Sequence, residues 1–405
     1  MKKVLTVVKN LWKLFSLLFL TVITFSYAMF QGGFVSWFLF YSFLPFAIYG
    51  IALSIYPFKI QSVERVFLKT DYNAGEKLLV AVKLRRFSSF PLFYMLMDDQ
   101  LSEPLSFCKQ KKRSKSLLFP HFQKEVLFDY ELEELPRGEH VFNGVTVKIG
   151  DPLGLVEKQR TIPSNDKIIV YPAYEELIYR PLENHYDQGM TASKERVQRD
   201  TTMAIGLREY QPGDRFSWIN WKATAKRNDI MTKEFEQRQS HDVLIIMDCA
   251  PEKRFEAVVS FTASITRAIL RKGAQVGLLS SSAERASFQI RSGEAHQQQI
   301  FYHLAKVKDQ STVTLDKVIQ AENFLAQQNT SLMLITSQLT KALIEKASFF
   351  ASRKGSVTIF TIKNEKESPT QNEISLRASA NARGVRVVFV HDGHFSDAFS
   401  EVNRG

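Results

Sequence analysis

Cysteine is scarce in this chain, since Cys108 and Cys249 are the only two among its 405 residues. They lie far apart in regions of different character, so a disulfide framework is not expected and a reducing compartment is the natural interpretation. Neither cysteine has the spacing of a metal ligand. The sequence also contains no G-x-x-x-x-G-K-[ST] and no G-x-G-x-x-G segment, which argues against nucleotide binding by either of these loops.

Charge is almost absent from residues 11–56, where Lys13 is the one ionised side chain. Two apolar runs fill this stretch, residues 11–30 and 34–56, and each is close to the roughly 20 residues that an α-helix needs to cross a bilayer. A short Gln-Gly-Gly turn separates them. Because backbone polar groups in lipid must be bonded within a helix or a closed barrel, residues 1–58 are predicted to form a transmembrane helical hairpin.

A cleaved signal peptide is the competing interpretation, because Lys2 and Lys3 precede the first run and small residues lie within 26–28. Removal of the first run would still leave the second as a complete span, so the hairpin is favoured. Cations flank both outer ends of the hairpin, and its turn carries no charge. The positive-inside rule therefore predicts a multi-pass protein of the cell (cytoplasmic) membrane, with its soluble domains in the cytoplasm.

Acidic residues and arginine are absent from both apolar runs, which makes the hairpin a poor candidate for a transport path. The whole chain nevertheless has a formal net charge of +11. Beside a membrane anchor, anionic lipid headgroups are the simplest partner for this charge. Nucleic acid is not expected, because no base-reading motif accompanies the cations. The lipid bilayer is therefore the first predicted partner.

Short β-rich stretches separated by turn residues occupy residues 59–172, which predicts an antiparallel β-sandwich-like domain. The predicted strands are 62–68, 77–86, 93–98, 125–130, 139–149 and 167–171. A basic run lies between two of them and consists of Lys109, Lys111, Lys112, Arg113 and Lys115. The run fits a solvated hairpin tip, and the alternative is that this tip rests on the inner leaflet of the membrane.

Residues 173–240 combine a polar, irregular segment that resembles a linker with a longer motif rich in charge and tryptophan. Proline and glycine punctuate the middle of the motif, and Asp214 is positioned to cap a short helix. Trp218, Trp221 and Ala225 recur at helical spacing, which predicts an apolar face on that helix.

The motif resembles the signature of a bacterial membrane protein family called domain of unknown function 58, in which G-x-R-x-Y-x-x-G-D precedes I-x-W-x-x-x-A-R. The match comprises Gly206, Arg208, Tyr210, Gly213, Asp214, Ile219, Trp221, Lys222 and Ala225, with Lys226 in place of the arginine. Further matches lie upstream at 136–138, 151–155 and 170–172. The resemblance implies a β-rich region and a von Willebrand factor A-like domain. It also implies a MoxR-type AAA+ ATPase and a transglutaminase-like membrane protein as partners.

The motif is predicted to dock a protein partner or to fix a domain junction. Its candidate residues are Gly206, Arg208, Glu209, Tyr210, Gly213, Asp214, Trp218, Trp221 and Lys222. No nucleophile with an attendant base stands among them, so no catalytic residue is predicted. The alternative is an enzyme with an undescribed site around Asp248 or within the Arg208–Lys222 motif.

Residues 241–405 alternate between strand and helix patterns, beginning with the continuous apolar strand DVLIIMD of residues 242–248. Further strands are predicted at 275–280, 285–290, 331–336, 356–362 and 385–390, and helices at 252–272, 294–307, 314–328, 338–353 and 372–383. This alternation predicts an α/β domain with a doubly wound sheet, and the resemblance implies its von Willebrand factor A-like version. Ligands of such sheets bind beyond the carboxyl ends of the strands, so Asp248 is the first position to consider.

In the von Willebrand factor A fold, that aspartate opens a metal-ion-dependent adhesion site of the form D-x-S-x-S, whose oxygen ligands suit magnesium. Here Ala250 and Glu252 occupy the serine positions, Val313 stands near the expected threonine, and Ser337 near the expected aspartate. With so few oxygen ligands no cofactor is expected beyond a weak divalent cation such as Mg²⁺, held by Asp248 and Glu252.

These features together favour a membrane-anchored cytoplasmic scaffold or adaptor over an enzyme. The scaffold is predicted to bind protein partners, a MoxR-type AAA+ ATPase first among them, through a degenerate von Willebrand factor A-like domain. Binding of nucleic acid through the basic surface ranks last.

Overall fold

The structure, a computed structural model, divides the chain into two compact units, of which the first ends at Ala173 and the second begins at Tyr174. It describes residues 2–179, 198–211, 216–227, 229–238, 242–282, 285–321, 330–352 and 356–399. The expected boundary between the β-rich region and the linker, at residues 172 and 173, lies beside this division.

Two apolar helices open the first unit, α1 at Lys2–Gln31 and α2 at Phe34–Ile55. Gly32 permits the tight turn between them because its φ of 60° lies in the left-handed region that glycine adopts without strain. Phe25 and Phe40 pack across the hairpin with their ring centroids 5.5 Å apart. By length and composition both helices can cross a membrane, which agrees with the predicted apolar spans, although α1 begins well before the apolar run.

The base of the hairpin packs on the β-strands that follow it. Leu17 of α1 and Leu53 of α2 are fully buried in the core of the first unit. The Lys13 ammonium donates to the Glu157 carboxylate at 3.1 Å, and Lys158 donates to the carbonyls of Ser54 and Tyr56 at 2.8 and 2.6 Å. Lys158 thereby satisfies carbonyls at the C-terminal end of α2 that have no partner within the helix.

Two sheets form the rest of the first unit and enclose a common apolar core. The elements are β1 Ile60–Phe67, β2 Asp71–Asn73, β3 Leu78–Arg86, β4 Tyr94–Gln100, α3 Glu103–Ser106, β5 Lys109–Lys112, β6 Lys115–Leu118, β7 Glu125–Glu133, β8 Gly138–Gly150 and β9 Glu157–Tyr171. The strand orders are β1-β3-β7-β5 and β2-β9-β8-β4-β6. The expectation of a purely antiparallel domain was wrong in one place, because β2 pairs with β9 in parallel and makes that sheet mixed.

The basic run is not a hairpin tip. Its first part is β5, which pairs with β7, and its second part begins β6, which pairs with β4 of the other sheet. Among the described residues, both strands lie at the edge of their sheets. Lysine on an outer strand discourages pairing with another chain, which gives these cations a structural reason to lie there.

A buried ion pair joins the two sheets. The Arg65 guanidinium of β1 binds both carboxylate oxygens of Asp99 on β4, at 3.0 and 2.6 Å, and both side chains have no exposed surface. The Tyr130 hydroxyl of β7 donates to the same carboxylate at 2.7 Å. Burial first, and then the negative charge of Asp99, raise the pKa of Tyr130 far above its usual range, so this tyrosine stays a donor.

The second unit contains a β-hairpin and a larger α/β region. The elements are β10 Gln198–Glu209, α4 Trp221–Arg227, β11 Met231–Arg238, β12 Val243–Met247, α5 Phe255–Arg271, β13 Val276–Ser280, β14 Ala286–Arg291, α6 Glu294–Lys306, α7 Leu315–Ala321, β15 Ser331–Thr336, α8 Lys341–Ala351, β16 Val357–Lys363, α9 Gln371–Ala382 and β17 Val385–His391. The predicted strands and helices of this region agree with these elements to within a few residues. Beyond Ala321, the remainder of the predicted helix to 328 lies outside the described residues.

A mixed six-stranded sheet with helices on both faces organises the α/β region. Its order is β14-β13-β12-β15-β16-β17, in which only β14 is antiparallel to its neighbour. Phe360 of β16 packs against Phe261 of α5 at 5.1 Å, whereas the adjacent Ile359 belongs to a core shared with α7, α8 and α9. Successive residues of a strand face opposite sides of the sheet, so α5 covers one face and the other three helices cover the opposite one.

Part of the predicted linker belongs to the α/β region. The backbone amide of Glu175 donates to the Ser264 hydroxyl of α5 at 2.9 Å, and Glu176 forms an ion pair with Arg271. The Tyr179 ring lies edge-on to Phe399 at 5.8 Å. Residues 174–179 therefore pack against α5 and the end of the chain, and β10 replaces the irregular structure expected from residue 198 onward.

Candidate functional site

The carboxyl ends of β12 and β15 meet at the point where the strand order of the sheet reverses. Asp248 follows β12, and its backbone amide donates to the carbonyl of Ile335 in β15 at 2.9 Å. Open α/β sheets bind their ligands at such a point, because the loops from the two neighbouring strands diverge there. Asp248, the position predicted from the sequence, therefore lies at a candidate ligand-binding crevice.

Protein donors already engage both oxygens of the Asp248 carboxylate. The amide of Ala250 donates to Oδ1 at 3.0 Å, and the Thr336 hydroxyl lies 2.8 Å from Oδ2. Thr336 also receives the amide of Gln338 at 3.1 Å, which ties the loop after β15 to the loop after β12. Thr336 was missed from sequence, although its place at the end of a parallel strand was a usable signal.

Glu252 belongs to the same network. The Gln338 side-chain amide donates to Glu252 Oε2 at 2.7 Å, and the Arg254 guanidinium approaches Oε1 at 3.5 Å. Arg254 also bonds the carbonyl of Ile362 at 3.2 Å. The structure therefore brings Asp248 and Glu252 into one hydrogen-bonded cluster through Thr336 and Gln338.

These residues fit a magnesium site poorly. A magnesium ion needs several oxygen ligands in near-octahedral geometry, but Ala250 supplies no side-chain oxygen and Arg254 places a positive charge beside Glu252. Within the described ranges, no cluster of three or more His, Cys, Asp or Glu is placed to hold a metal. Weak binding of a divalent cation by Asp248 and Glu252 stays a prediction.

Cys249, beside the crevice, is buried and not exposed to solvent. Its side chain has no exposed surface, and its backbone amide donates to the Ser281 hydroxyl at 3.2 Å. Ser311 donates its own amide to the Cys249 carbonyl at 3.1 Å. The loops after β12 and β13 are thus joined around a thiol that no substrate can reach in this arrangement.

The signature motif forms a small unit on the β10–β11 pair. The amide of Tyr210 donates to the Ile230 carbonyl and the amide of Asn220 to the Met231 carbonyl, both at 2.8 Å. Ile219 forms an isolated bridge with Thr232. These contacts hold the start of α4 against β11.

The cap of α4 differs from the expected one. The helix begins at Trp221, and the Asn220 side chain accepts the amide of Ala223 at 3.2 Å, as an N-cap residue does. Asp214, the predicted cap, lies outside the described residues, as does Gly213. Asparagine is a preferred N-cap residue, so Asn220 was the available signal in the sequence.

The predicted apolar face of α4 is exposed rather than packed. Trp221 is 69% exposed and Phe216 is 76% exposed, and Ala225 and Lys222 are also exposed. Trp218 is half-buried. Trp218 lies before α4, in the 3-10 turn Phe216–Trp218, so of the predicted apolar face only Trp221 and Ala225 belong to the helix.

The remaining motif residues lie on β10 and just after it. Gly206 and Glu209 pair with Glu234 and Met231 of β11. The Arg208 guanidinium donates to the Glu209 carbonyl at 3.0 Å, and the Tyr210 ring stacks on Phe216 with a centroid distance of 6.3 Å.

Comparisons with known proteins match the motif and the region that follows it. A family model described as "Protein of unknown function DUF58" matches residues 206–404. The uncharacterized protein YeaD of Bacillus subtilis (strain 168) is 38% identical over 387 residues, which cover 95% of this chain and 96% of that protein.

Solved structures are only distantly similar. A complex of zinc 2-glycoprotein and prolactin inducible protein from human seminal plasma has a chain that aligns with 28% of this chain and 96% of its own length, at 6% identity and a TM-score of 0.21. Cwp6 from Clostridium difficile aligns with 85% of this chain and 39% of its own, at 10% identity and a TM-score of 0.18. Scores this low carry no argument about the fold.

Proposed function

Because the chain belongs to the family described as protein of unknown function DUF58, we propose that it is a membrane-anchored scaffold that binds cytoplasmic protein partners. The signature motif is the docking surface, and a MoxR-type AAA+ ATPase is the partner that the family resemblance implies first. A transglutaminase-like membrane protein is the second implied partner.

The helical hairpin is the membrane anchor in this proposal. Most of its large apolar side chains beyond the base are exposed, including Phe19, Phe30, Phe34 and Phe38, and a continuous apolar surface of this kind marks a membrane or an interface. Lys13 and Lys59 lie at the base, whereas the turn at Gly32 is uncharged. The positive-inside rule then places the base and both units on the cytoplasmic side of a hairpin that spans the membrane twice.

The α/β region is assigned as a degenerate von Willebrand factor A-like domain. In support, the strands in chain order lie 3-2-1-4-5-6 across the sheet, the third is antiparallel, and helices cover both faces. The carboxylates Asp248 and Glu252 stand where this fold binds its ion but are bonded to Thr336, Gln338 and Arg254.

One observation carries the docking proposal. Phe216 and Trp221 are large aromatic side chains that remain mostly exposed within the segment where the family match begins. Burying an aromatic side chain supplies much of the free energy of many protein interfaces, and tryptophan is enriched among residues that dominate binding. Lys222, Lys226 and Arg227 on the same short helix add positive charge for an acidic partner surface.

Site-specific photo-crosslinking in intact cells tests this function. A photoreactive phenylalanine analogue replaces Trp221 in one variant and Phe349, an exposed aromatic of α8, in the control. The Trp221 variant is expected to yield an adduct that mass spectrometry identifies as a MoxR-type AAA+ ATPase, and the Phe349 variant is not. Equal adducts at both positions, or none with this ATPase at Trp221, would overturn the proposal.

An enzyme with a site at Asp248 has less support. Each carboxylate oxygen of Asp248 accepts a protein hydrogen bond, and the neighbouring Cys249 is buried. The hydrogen bonds of the partly exposed Asp248 and the burial of Cys249 fit a structural role for both residues better than a catalytic one.

A further inference from the structure

Exposed apolar side chains, four phenylalanines and one leucine, surround the base of the hairpin on the first unit. They lie in three loops, residues 87–93, 119–123 and 151–155, which connect strand ends at the same end of the two sheets. We call them the collar: Phe87, Phe93, Phe119, Phe122 and Leu153, which are between 46% and 70% exposed.

The three collar loops contact the hairpin or each other. The Tyr49 hydroxyl of α2 donates to the Pro91 carbonyl at 3.1 Å and accepts the amide of Phe93 at 3.0 Å. Leu92 pairs with His121 of the second loop. Lys13 of α1 donates to the Gly154 carbonyl of the third loop at 3.3 Å.

Buried charged residues fix the shape of these loops. The Arg86 guanidinium, which is 1% exposed, donates to the carbonyls of Phe90 and Gln123 at 2.8 and 2.9 Å and so joins the first two loops. The Asp151 carboxylate accepts the amides of Leu153 and Val156 at 3.3 and 2.6 Å and so closes the third loop. These hydrogen bonds fix the loop backbones that carry the exposed apolar side chains.

The length of the hairpin places the collar at the membrane. From Phe34 to the point where Tyr49 contacts the first loop, α2 rises about 22 Å at about 1.5 Å per residue. A bilayer has a hydrocarbon core of about 30 Å. When the turn lies at the far boundary of this core, Tyr49 lies about 8 Å inside the near boundary. The loop bonded to Tyr49 therefore reaches the near leaflet.

We infer that the collar inserts into the cytoplasmic interface of the bilayer around the base of the hairpin, an inference that rests on the proposed membrane anchor. Phenylalanine and leucine side chains of interfacial elements insert about 5–10 Å into the boundary between headgroups and acyl chains. The exposed cations Lys59, Lys124 and Arg160 lie at the same end of the unit and suit anionic headgroups. The first unit thus contacts the membrane surface directly, in addition to being attached through the hairpin.

Spin-label accessibility in vesicles tests this inference on the full-length protein. Cys108→Ser removes the partly exposed cysteine, and Cys249 is buried. Single labels are then introduced by Phe93→Cys, Phe122→Cys and Leu153→Cys in the collar and by Val22→Cys in the middle of α1. Phe107→Cys is the control, since Phe107 is 86% exposed. Phe107 follows the C-terminal end of β4, whereas Phe93 of the collar precedes its N-terminal end. The vesicles contain phosphatidylcholine and phosphatidylglycerol.

Collisions with lipid-soluble oxygen and with a water-soluble nickel chelate report the depth of each label. The ratio of oxygen to nickel accessibility is expected to be highest at Val22, several-fold higher in the collar than at Phe107, and lowest at Phe107. Collar labels that match Phe107 while Val22 lies in lipid would overturn the collar and leave the anchor intact. Collar labels shielded from both reagents would also overturn it, because protein would then cover the loops. A Val22 label that matches Phe107 would overturn the anchor itself.

Discussion

The buried ion pair of the first unit lies between two sheets, whereas the bonded carboxylates in the crevice of the second unit lie at the edge of one sheet. This difference in position determines how much each group contributes to stability. In the first unit Arg65 and Asp99 lie between two sheets with no exposed surface. In the second unit Asp248 and Glu252 lie at the carboxyl edge of one sheet and are bonded by side chains from the next loop. The first arrangement joins two sheets, whereas the second joins two neighbouring loops. Replacing an aspartate by alanine should therefore lower the free energy of unfolding more in the first unit than in the second.

Removing the carboxylate between the sheets should give the largest effect. Asp99→Ala leaves Arg65 buried beside only the partly exposed Asp166 and leaves the Tyr130 hydroxyl without this acceptor. Breaking a buried ion pair on one side costs about 3–5 kcal/mol. Chemical denaturation in detergent measures the free energy of unfolding.

The adjacent Asp98 is the matched control for Asp99. Its side chain is 41% exposed and lies 3.8 Å from Lys115, and an exposed pair of this kind contributes about 0–1 kcal/mol. Equal costs for Asp98→Ala and Asp99→Ala would remove the structural role assigned to the buried pair.

A buried lysine in the second unit predicts a pH-dependent effect. The Lys363 ammonium, at the end of β16, bonds Glu373 at 2.5 Å and is 2% exposed. Burial alone raises the pKa of Glu373, but the hydrogen bonds from Lys363 and Thr370 outweigh it and hold that pKa below its usual range. A carboxylate with a lowered folded pKa stabilises the protein above its unfolded pKa, and this stability is lost as the pH falls through the folded value.

Glu373→Gln should therefore cost about 2 kcal/mol at neutral pH, the size of a hydrogen bond to a charged group, and progressively less in acid. Glutamine retains the capping interaction with Thr370 at the start of α9, so the difference isolates the charge. Thermal unfolding from pH 7 to pH 3 is the measurement. A cost that stays constant over this range would show that the ionisation of Glu373 contributes nothing.

Opening the crevice should have a smaller effect. Asp248→Ala removes the acceptor of the Thr336 hydroxyl and of the Ala250 amide, at a cost of about 1–2 kcal/mol. Because the ligand set fits magnesium poorly, the cost should be the same with and without millimolar Mg²⁺. A cost that grew with the Mg²⁺ concentration, as mass action requires for a bound ligand, would show that Asp248 holds the ion.

Removing the exposed tryptophan should barely change stability. Trp221→Ala alters a side chain that lies mostly in solvent, and such substitutions are usually within about 0.5 kcal/mol. A melting temperature lowered as far as in Asp248→Ala would show that Trp221 packs within the protein and is not kept for a partner.

The sequence predicted those elements whose burial follows a regular pattern. The strand Val243–Met247 is buried on both faces and was visible as a continuous apolar run. The strand β5 was missed because three of its four residues are lysine, and β10 because its first five residues, 198–202, are polar. Residues 174–179 were taken for linker because their packing depends on α5, which lies far along the chain.

The position of Asp248 at the carboxyl end of β12 was predicted, but its hydrogen-bond partners were not. Asp248 was found from the end of its strand, since parallel strands end at one edge of a sheet. Its partner Thr336 depends on which strand lies beside β12, and the ion pair of Arg65 with Asp99 depends on how two sheets face each other. Local sequence determines neither, so both required the fold.

The most direct test of the central claim compares the exposed motif with the crevice in one binding experiment. The full-length protein, its Trp221→Ala variant and its Asp248→Ala variant are titrated in detergent with the MoxR-type AAA+ ATPase from the same cells. Trp221→Ala is expected to weaken binding at least about tenfold, as loss of an interface hot spot does, while Asp248→Ala is expected to leave the affinity unchanged. Binding that survives in Trp221→Ala and is lost in Asp248→Ala would contradict that claim.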